Sequence, residues 1–204
     1  RGGLLGIAAI CGIYGIYRIH SKLLLGGIGL VGMLGLYLLA GIGGRQSGGV
    51  AESGIDQSAM GRLHAWEAAI GMATDNPLTG VGLNNFYYNY FYYSPSWDGL
   101  NHAVHSTWFG VLAETGFVGL IAFVTMVTLT LRSSITTVHK VQHAASPSPP
   151  ELRAISEGNL AGLVGFCISG TFLTQGFTWP IYILLALSVA VAHYVKSVHS
   201  LNLT

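Results

Sequence analysis

The sequence predicts an all-α fold, that of a polytopic integral membrane protein with about five transmembrane helices and a large loop that carries an amphipathic helix. Hydrophobic residues make up 51% of the 204 residues and charged residues only 8%, whereas a typical soluble domain has about 25% charged residues. Five apolar runs have or approach the roughly 17 to 25 residues that cross a bilayer. The Lys and Arg residues fall mainly between the runs, on one side.

The five apolar runs divide the chain into three regions. They cover residues 2–17, 23–42, 108–131, 160–177 and 179–195. Residues 1–42 are therefore predicted to form two transmembrane helices, residues 43–106 a long loop, and residues 107–204 three transmembrane helices with a connector. Glycines recur every third residue in the second run (Gly26, Gly29, Gly32 and Gly35), which is typical of close helix–helix packing. Because the chain opens beside an apolar run with no initiator Met, we expect it to be the C-terminal part of a larger protein.

The charges predict which side of the membrane each loop faces. If every run crosses, six Lys and Arg residues share one side and three share the other. The six are Arg18, Lys22, Arg132, Lys140, Arg153 and Lys196, and the three are Arg1, Arg45 and Arg62. The side richer in Lys and Arg is normally cytoplasmic. Residues 43–106 are therefore predicted to be extracytoplasmic, and the Pro- and Ser-rich connector at 143–150 cytoplasmic.

Within the long loop, residues 58–73 are predicted to form a helix that lies along the membrane surface. Apolar residues recur three and four positions apart (Leu63, Trp66, Ile70 and Ala73), which is the spacing of one helix face. Asn76-Pro77 is expected to end this helix, and Gly80-Val81-Gly82 to supply a turn. Seven aromatics follow within residues 86–93. Such a run is more typical of an aromatic belt at the bilayer interface than of a platform on which sugars stack.

Arg62 is the first candidate binding residue, because it lies near the start of the predicted surface helix. A guanidinium binds phosphate through two parallel hydrogen bonds, and a helix N-terminus adds partial positive charge. The pairing suits a pyrophosphate. An ordinary interfacial arginine that meets lipid phosphates fits this position equally well. Arg1 and Arg45, at predicted extracytoplasmic membrane edges, are further candidates for the same positive pocket.

His105 is the candidate general base, since it directly precedes the third apolar run and an imidazole exchanges protons near neutral pH. A histidine that only caps a helix or anchors the interface is the alternative, and spacing alone favours that alternative. His102 and His64 are the other imidazoles with which it would share a metal site. No HExxH, DxD or Cys/His ligand spacing occurs in the sequence, so we predict no metal and no cofactor.

Glu114 lies inside the third run, where a carboxylate is costly and normally faces the protein interior. If the helix began at His105, nine steps of roughly 100° would place Glu114 on the opposite face from the histidine. Glu114 is therefore predicted to have a structural role in helix packing and hydrogen bonding to backbone. Gly116 and Gly119 are predicted to let a neighbouring helix approach closely. The two cysteines, Cys11 and Cys167, lie in apolar runs and are expected to be core residues.

These residues together resemble the signature of the O-antigen ligase and polymerase family. The stretch from His105 through Glu114 and Gly116 to Gly119 matches H-[NS]-x(7)-E-x-G-x-x-G at the start of a transmembrane helix. The segment around Arg62 resembles the family's Arg-containing periplasmic segment. Arg1-Gly-Gly resembles its [ST]-R-G-A motif, with Gly3 in place of Ala. The residues of these motifs most resemble those of the O-glycosylation ligases associated with exosortase systems.

The resemblance implies a metal-independent, inverting glycosyltransferase in the bacterial inner membrane with its active site at the periplasmic face. Its donor would be a glycan on undecaprenyl pyrophosphate, and its acceptor a glycolipid or a protein. Arg1 and Arg62 would hold the pyrophosphate, and His105 would take the proton from the acceptor hydroxyl. Because family members have about a dozen spans, the fragment is expected to lack part of the active-site wall.

Three alternatives remain open from the sequence. A polymerase of the same family joins repeat units to each other and differs from a ligase only in its acceptor. A transporter or flippase component needs ionisable residues near mid-membrane, whereas the charges here cluster in the loop and only Glu114 is intramembrane. A non-catalytic scaffold would use the histidines as interfacial anchors. No basic tract indicates nucleic acid, so the expected partners are lipid-linked glycan, an acceptor and membrane lipids.

Overall fold

A computed structural model describes residues 2–19, 21–39, 57–144 and 148–201, and in this part the chain has seven α-helices and no strand. The helices are α1 Gly2–Arg18, α2 Lys22–Leu39, α3 Gln57–Asp75, α4 Phe86–Tyr93, α5 Thr107–Gln142, α6 Pro150–Gly170 and α7 Trp179–Leu201. The prediction of an all-α fold is confirmed. The predictions for Arg1 and Arg45 fall outside the described residues.

Two of the described helices are long and apolar enough, by length and composition, to cross a membrane. They are Thr107–Gln142, which is α5, and Trp179–Ser197 within α7, while Gly3–Arg18 in α1 is a shorter apolar helix. The count of five spans, the division of the chain into three membrane and loop regions, and the periplasmic location of the long loop stay predictions.

The described helices belong to two compact units. The first, the helix unit, comprises residues 1–35, 125–169 and 178–204, and the second, the loop unit, comprises residues 36–124 and 170–177. Helix α5 contributes its first half to the loop unit and its second half to the helix unit.

In the helix unit, glycines allow α1 and α6 to pack closely. A Cβ on Gly165 would overlap the side chain of Ile10, and a Cβ on Gly6 would lie 2.9 Å from Cβ of Ser169. The glycine face of α2, which was predicted to pack closely against another helix, makes no such contact with the described residues. A Cβ at Gly26, Gly29, Gly32 or Gly35 would meet no described atom within 4 Å. The close approach therefore occurs at α1 and α6, where a glycine and a small or flexible neighbour face each other.

The core of the loop unit lies between α3 and α4. Helix α3 confirms the predicted helix and ends directly before Asn76-Pro77; that its predicted apolar face lies on the membrane surface stays a prediction. Leu63 and Ile70 are each 45% exposed. The buried stripe is made of smaller residues (Ala65, Ala68, Ala69, Met72 and Ala73), against which Phe86 and Tyr90 of α4 are buried. Alanine suits these positions because its small side chain lets the bulky rings of α4 approach the α3 backbone.

Helix α6 ends earlier than the apolar run at 160–177 predicts. The helix stops at Gly170, and residues 171–177 are not helical. Thr107 at the start of α5 holds this segment, because its Oγ1 donates to the carbonyl of Leu173 at 2.7 Å and accepts from the backbone N–H of Gln175 at 3.0 Å. These bonds satisfy backbone groups of the apolar segment that a helix would otherwise satisfy internally.

Helix α5 is interrupted at Gly116, which has φ 68° and ψ −170°. The loop after α3 fills the gap in hydrogen bonding. The N–H groups of Val81 and Gly82 donate to the carbonyls of Ala113 and Glu114 at 2.9 and 3.1 Å, and the N–H of Phe117 donates to the carbonyl of Pro77 at 2.9 Å. The helix predicted over residues 108–131 is therefore present but interrupted at Gly116. The break is stable because a second segment replaces the missing bonds.

Candidate functional site

Helix α3 presents Arg62 and Trp66 four residues apart, and therefore on the same face of the helix. The guanidinium carbon of Arg62 lies 6.0 Å from the centre of the Phe172 ring, the distance limit of a cation–π contact. Trp66 Nε1 donates to the carbonyl of Val104 at 3.1 Å. Its ring stacks on Phe109, with centroids 4.9 Å apart and planes 12° from parallel. One face of α3 thus carries the arginine and fixes the backbone next to His105.

His105 lies in the loop before α5 rather than in the helix. Its φ of 48° is in the left-handed region, and α5 begins at Thr107. The condition under which nine helical steps would place Glu114 on the opposite face from His105 is therefore not met. A left-handed conformation at a residue other than glycine costs about 1–3 kcal/mol and is found where surrounding structure enforces it. Here the flanking Val104 and Ser106 are both buried.

The surroundings of His105 lower the pKa of its imidazole below the ordinary value of 6.5. Burial of part of the ring is the largest cause, followed by the positive charge of Arg62 and then that of His102. Both effects disfavour a second proton on the ring. The unprotonated form, which accepts a proton, is therefore favoured at neutral pH. The effect of Arg62 also shows that residues from two separate motifs act on each other in the folded chain.

His102 is paired with a carboxylate. Its Nε2 lies 3.1 and 3.0 Å from the two carboxylate oxygens of Asp98, and its ring meets that of Tyr90 edge-on at 5.5 Å. The hydrogen bond from His102, with one from the backbone of Leu100, holds the pKa of Asp98 below its usual value. His102 is thus occupied by a partner, whereas His105 has no described side-chain partner.

Glu114 lies beside the break in α5, and its Oε1 accepts from the N–H of Phe86 at 3.4 Å. Gly116 admits the loop after α3, not a helix as predicted, since a Cβ there would lie 2.5 Å from the carbonyl oxygen of Pro77. At Gly119 the close neighbour is the side chain of Thr115 one turn earlier. The carboxylate thus contacts the first residue of α4, and Gly116 contacts the segment that joins α3 to α4. That these three residues are structural stays a proposal.

The structure brings some of the predicted site residues together. After burial of the ring, the charges of Arg62 and then His102 lower the pKa of His105, so both side chains lie within electrostatic range of this imidazole. In the described residues, no three His, Cys, Asp or Glu side chains come together as potential metal ligands.

Three residues with positioning contacts were missed from the sequence. Trp66, Thr107 and Phe172 each hold part of the loop unit around His105 or Arg62. The four-residue spacing of Arg62 and Trp66 could have indicated the positioning role of Trp66. No sequence pattern indicates such a role for Thr107, which follows the His-Ser pair. Phe172 lies in an apolar run that is typical of an ordinary helix.

The comparison with protein families decides which class of protein this is. Residues 1–124 match the family model described as O-antigen ligase. The chain belongs to this family. Arg62, His105, Glu114, Gly116 and Gly119 all fall in the matched part, whereas Phe172 does not. No curated protein matches the chain.

Membership sets the general function of the site. O-antigen ligase family proteins are membrane-associated enzymes that transfer glycans, and their general partners are a lipid-linked glycan and an acceptor. Ligase- or polymerase-type chemistry is therefore favoured over transport or scaffolding.

Proposed function

We propose that the protein transfers a glycan from undecaprenyl pyrophosphate to an acceptor hydroxyl at the periplasmic face of the bacterial inner membrane, with inversion and without a metal. In this reaction the acceptor oxygen bonds to the anomeric carbon as the bond from that carbon to the pyrophosphate oxygen breaks. The electron pair leaves with the pyrophosphate, and His105 receives the hydroxyl proton.

The observation that carries the proposal is the electrostatic coupling of Arg62 to His105. Burial of part of the ring, and then the positive charge of Arg62, lower the pKa of the His105 imidazole, so its proton-accepting form is favoured with a permanent cation within electrostatic range. A general base of this kind typically contributes about a hundred- to ten-thousand-fold in rate. The same cation stabilises the negative charge that develops on the leaving pyrophosphate.

Arg62 suits the pyrophosphate role by its partners as well as by its charge. Within the described residues it makes no ion pair with a carboxylate, and its guanidinium lies over the Phe172 ring. An aromatic contact limits the positions of a guanidinium while leaving its N–H groups for a ligand. Arg1 and Arg45 are proposed to add to the positive pocket on the strength of their sequence positions.

The acceptor separates the two enzymes that the family contains. A glycolipid or protein acceptor makes the enzyme a ligase, and a second repeat unit makes it a polymerase. We propose a ligase because the residues of the sequence motifs most resemble those of O-glycosylation ligases.

The test is transfer by the full-length protein, purified in lipid nanodiscs, from an undecaprenyl-pyrophosphate-linked glycan to each acceptor class in turn. We expect release of undecaprenyl pyrophosphate with inverted linkage in the product, at the same rate with and without EDTA. Absence of transfer to every acceptor, retention of configuration, or loss with EDTA that Mg²⁺ or Zn²⁺ restores would contradict the proposal.

A further inference from the structure

Seven of the eight residues of helix α4 are aromatic, although only one side of the helix faces protein. Phe86 and Tyr90 are 3% and 2% exposed, and Tyr93 packs against the same core. The opposite arc carries four more aromatics (Tyr87, Tyr88, Phe91 and Tyr92), which are between 47% and 75% exposed. A helix that is hydrophobic all round is typical of burial in protein or in lipid. Within this arc Phe91 meets the ring of Trp97 edge-on at 4.6 Å, whereas Tyr87, Tyr88 and Tyr92 are each more than half exposed.

The segment around α4 also lacks charge. No Asp, Glu, Lys or Arg occurs from Pro77 to Trp97, and the nearest acidic residues on either side, Asp75 and Asp98, are both exposed. Two leucines in this segment, Leu78 and Leu83, are 71% and 63% exposed. Exposed aliphatic residues in an uncharged segment are costly in water.

Hydrogen bonds place this segment beside the interior of α5 rather than at its end. The N–H of Phe86 donates to Glu114 Oε1, and residues of the preceding loop bond to Ala113, Glu114 and Phe117. Glu114 lies seven residues after the start of α5 at Thr107, about 10 Å along the axis at 1.5 Å per residue. If α5 crosses the bilayer from its first turns, the segment that contacts Glu114 lies at the depth of the interface or below it.

We propose that α4 is an interfacial helix whose outer arc, Tyr87, Tyr88, Phe91 and Tyr92, lies in the headgroup region of the lipid bilayer. Tyrosine suits this position because its ring is apolar and its hydroxyl reaches water or headgroups. The irregular loop before α4 tolerates that depth because α5 satisfies its backbone N–H groups. This proposal concerns the lipid contact alone and does not rest on the proposed transfer reaction.

A sugar-binding platform is the competing use of the same rings, and the polar groups beside them favour lipid. Stacked sugars also need hydrogen-bonding side chains at the rim of the aromatic surface. The amides of Asn85 and Asn89 instead donate to the carbonyls of Val81 and Asn85 in their own segment. Lipid also accounts for the exposed Leu78 and Leu83, which offer a sugar nothing to bond.

The test measures the depth of the outer arc in the full chain, in nanodiscs of neutral phosphatidylcholine. With Cys11 and Cys167 replaced by Ser, a spin label is attached at Tyr88→Cys or Tyr92→Cys. Matched labels are placed at Ile121→Cys, an exposed position on α5, and at Glu67→Cys, an exposed position on α3. Accessibility to oxygen, which concentrates in lipid, is compared with accessibility to a water-soluble nickel chelate.

We expect labels 88 and 92 to favour oxygen over nickel, with values between those of Ile121→Cys and Glu67→Cys or close to those of Ile121→Cys. Values equal to those of Glu67→Cys at both positions would overturn the proposal. Nickel accessibility that falls when a soluble oligosaccharide is added would assign the arc to sugar binding instead and would also overturn it. Helix content equal to that of the parent protein is required of every variant, and two label positions guard against local damage at one.

Discussion

The two units of the chain use their polar side chains differently. In the helix unit, polar side chains bond to each other between helices: Asn159 Nδ2 and Ser134 Oγ donate to Ser188 Oγ at 2.7 and 3.1 Å. Gln142 Nε2 likewise donates to Glu157 Oε1 at 3.0 Å, and Arg18 lies 3.4 Å from the same carboxylate. The loop unit also has side-chain pairs, His102 with Asp98 and Trp108 with Thr171. In addition, its Trp66 and Thr107 bond to the backbone of distant segments.

The polar side chains of the helix unit hold helices together, whereas those of the loop unit position the backbone around the candidate site. Polar pairs of this kind hold helices together, although Asn159 Oδ1 and Glu157 Oε2 have no hydrogen-bond partner among the described residues. Bonds from side chain to backbone fix irregular segments and leave other side chains unpaired. In the described residues, Arg62 and His105 form no ion pair or side-chain hydrogen bond, and both lie in the loop unit.

The largest expected effect separates His105 from the other histidines of the loop unit. In the full-length enzyme, His105→Ala should lower the rate of glycan transfer by about a hundred- to ten-thousand-fold, because the proton acceptor is lost. His102→Ala and His64→Ala should retain most of the activity at equal membrane insertion. A His105→Ala enzyme that transfers glycan at a rate near that of the parent would remove the proposed base.

A second comparison sets a glycine of the loop unit against one of the helix unit. Gly80 has φ 61°, and a Cβ there would overlap backbone atoms of Ala113, Glu114 and Thr115. Gly80→Ala should lower the free energy of unfolding by about 2–3 kcal/mol, through strain and a displaced loop. Gly158→Ala, at an exposed helical position with open space around its Cβ, should be neutral or stabilising by up to about 1 kcal/mol. Equal midpoints of thermal unfolding for both variants would show that the loop does not pack tightly on α5.

A third comparison distinguishes the geometry of Arg62 from its charge. Arg62→Lys keeps the charge but loses the paired hydrogen bonds to phosphate. We expect at least a roughly tenfold fall in transfer rate, which corresponds to about 1.4 kcal/mol of transition-state stabilisation. Arg153→Lys, on an exposed face of the helix unit, is the matched control and should leave the rate unchanged. If the two variants are equally active, Arg62 contacts lipid phosphates only.

A smaller effect is expected from the tryptophan that fixes the backbone before His105. Trp66→Phe keeps a ring that stacks on Phe109 but removes the donor to the Val104 carbonyl. The free energy of unfolding should fall by about 1 kcal/mol, and the transfer rate should fall less than in Arg62→Lys. Trp179→Phe, at a tryptophan of the helix unit that is 81% exposed, should change neither. Unchanged stability and rate in Trp66→Phe would mean that other contacts hold the His105 loop.

The sequence predicted the elements that local signals define. The all-α class follows from composition, the end of α3 from Asn76-Pro77, and the family from the spacing of His105, Glu114 and Gly116. The interruption of α5 was missed because its replacement hydrogen bonds come from residues more than thirty positions earlier. The face of α3 that packs against protein could not be predicted, because the bulk of α4, not the hydrophobicity of α3, decides which residues are covered. The end of α6 depends on Thr107, a residue distant in sequence.

The most direct test of the site is the pKa of His105 itself, measured by NMR of histidine-labelled full-length protein, with the His105 signal assigned by its loss in His105→Asn. The account predicts that in the parent protein this pKa lies below about 6.5, and that it rises in Arg62→Gln, because removal of a neighbouring positive charge makes protonation easier. Arg132→Gln, which removes a charge from the helix unit, should leave it unchanged. A titration of His105 that is the same in the parent protein and in Arg62→Gln would contradict the claim that these two residues form one site.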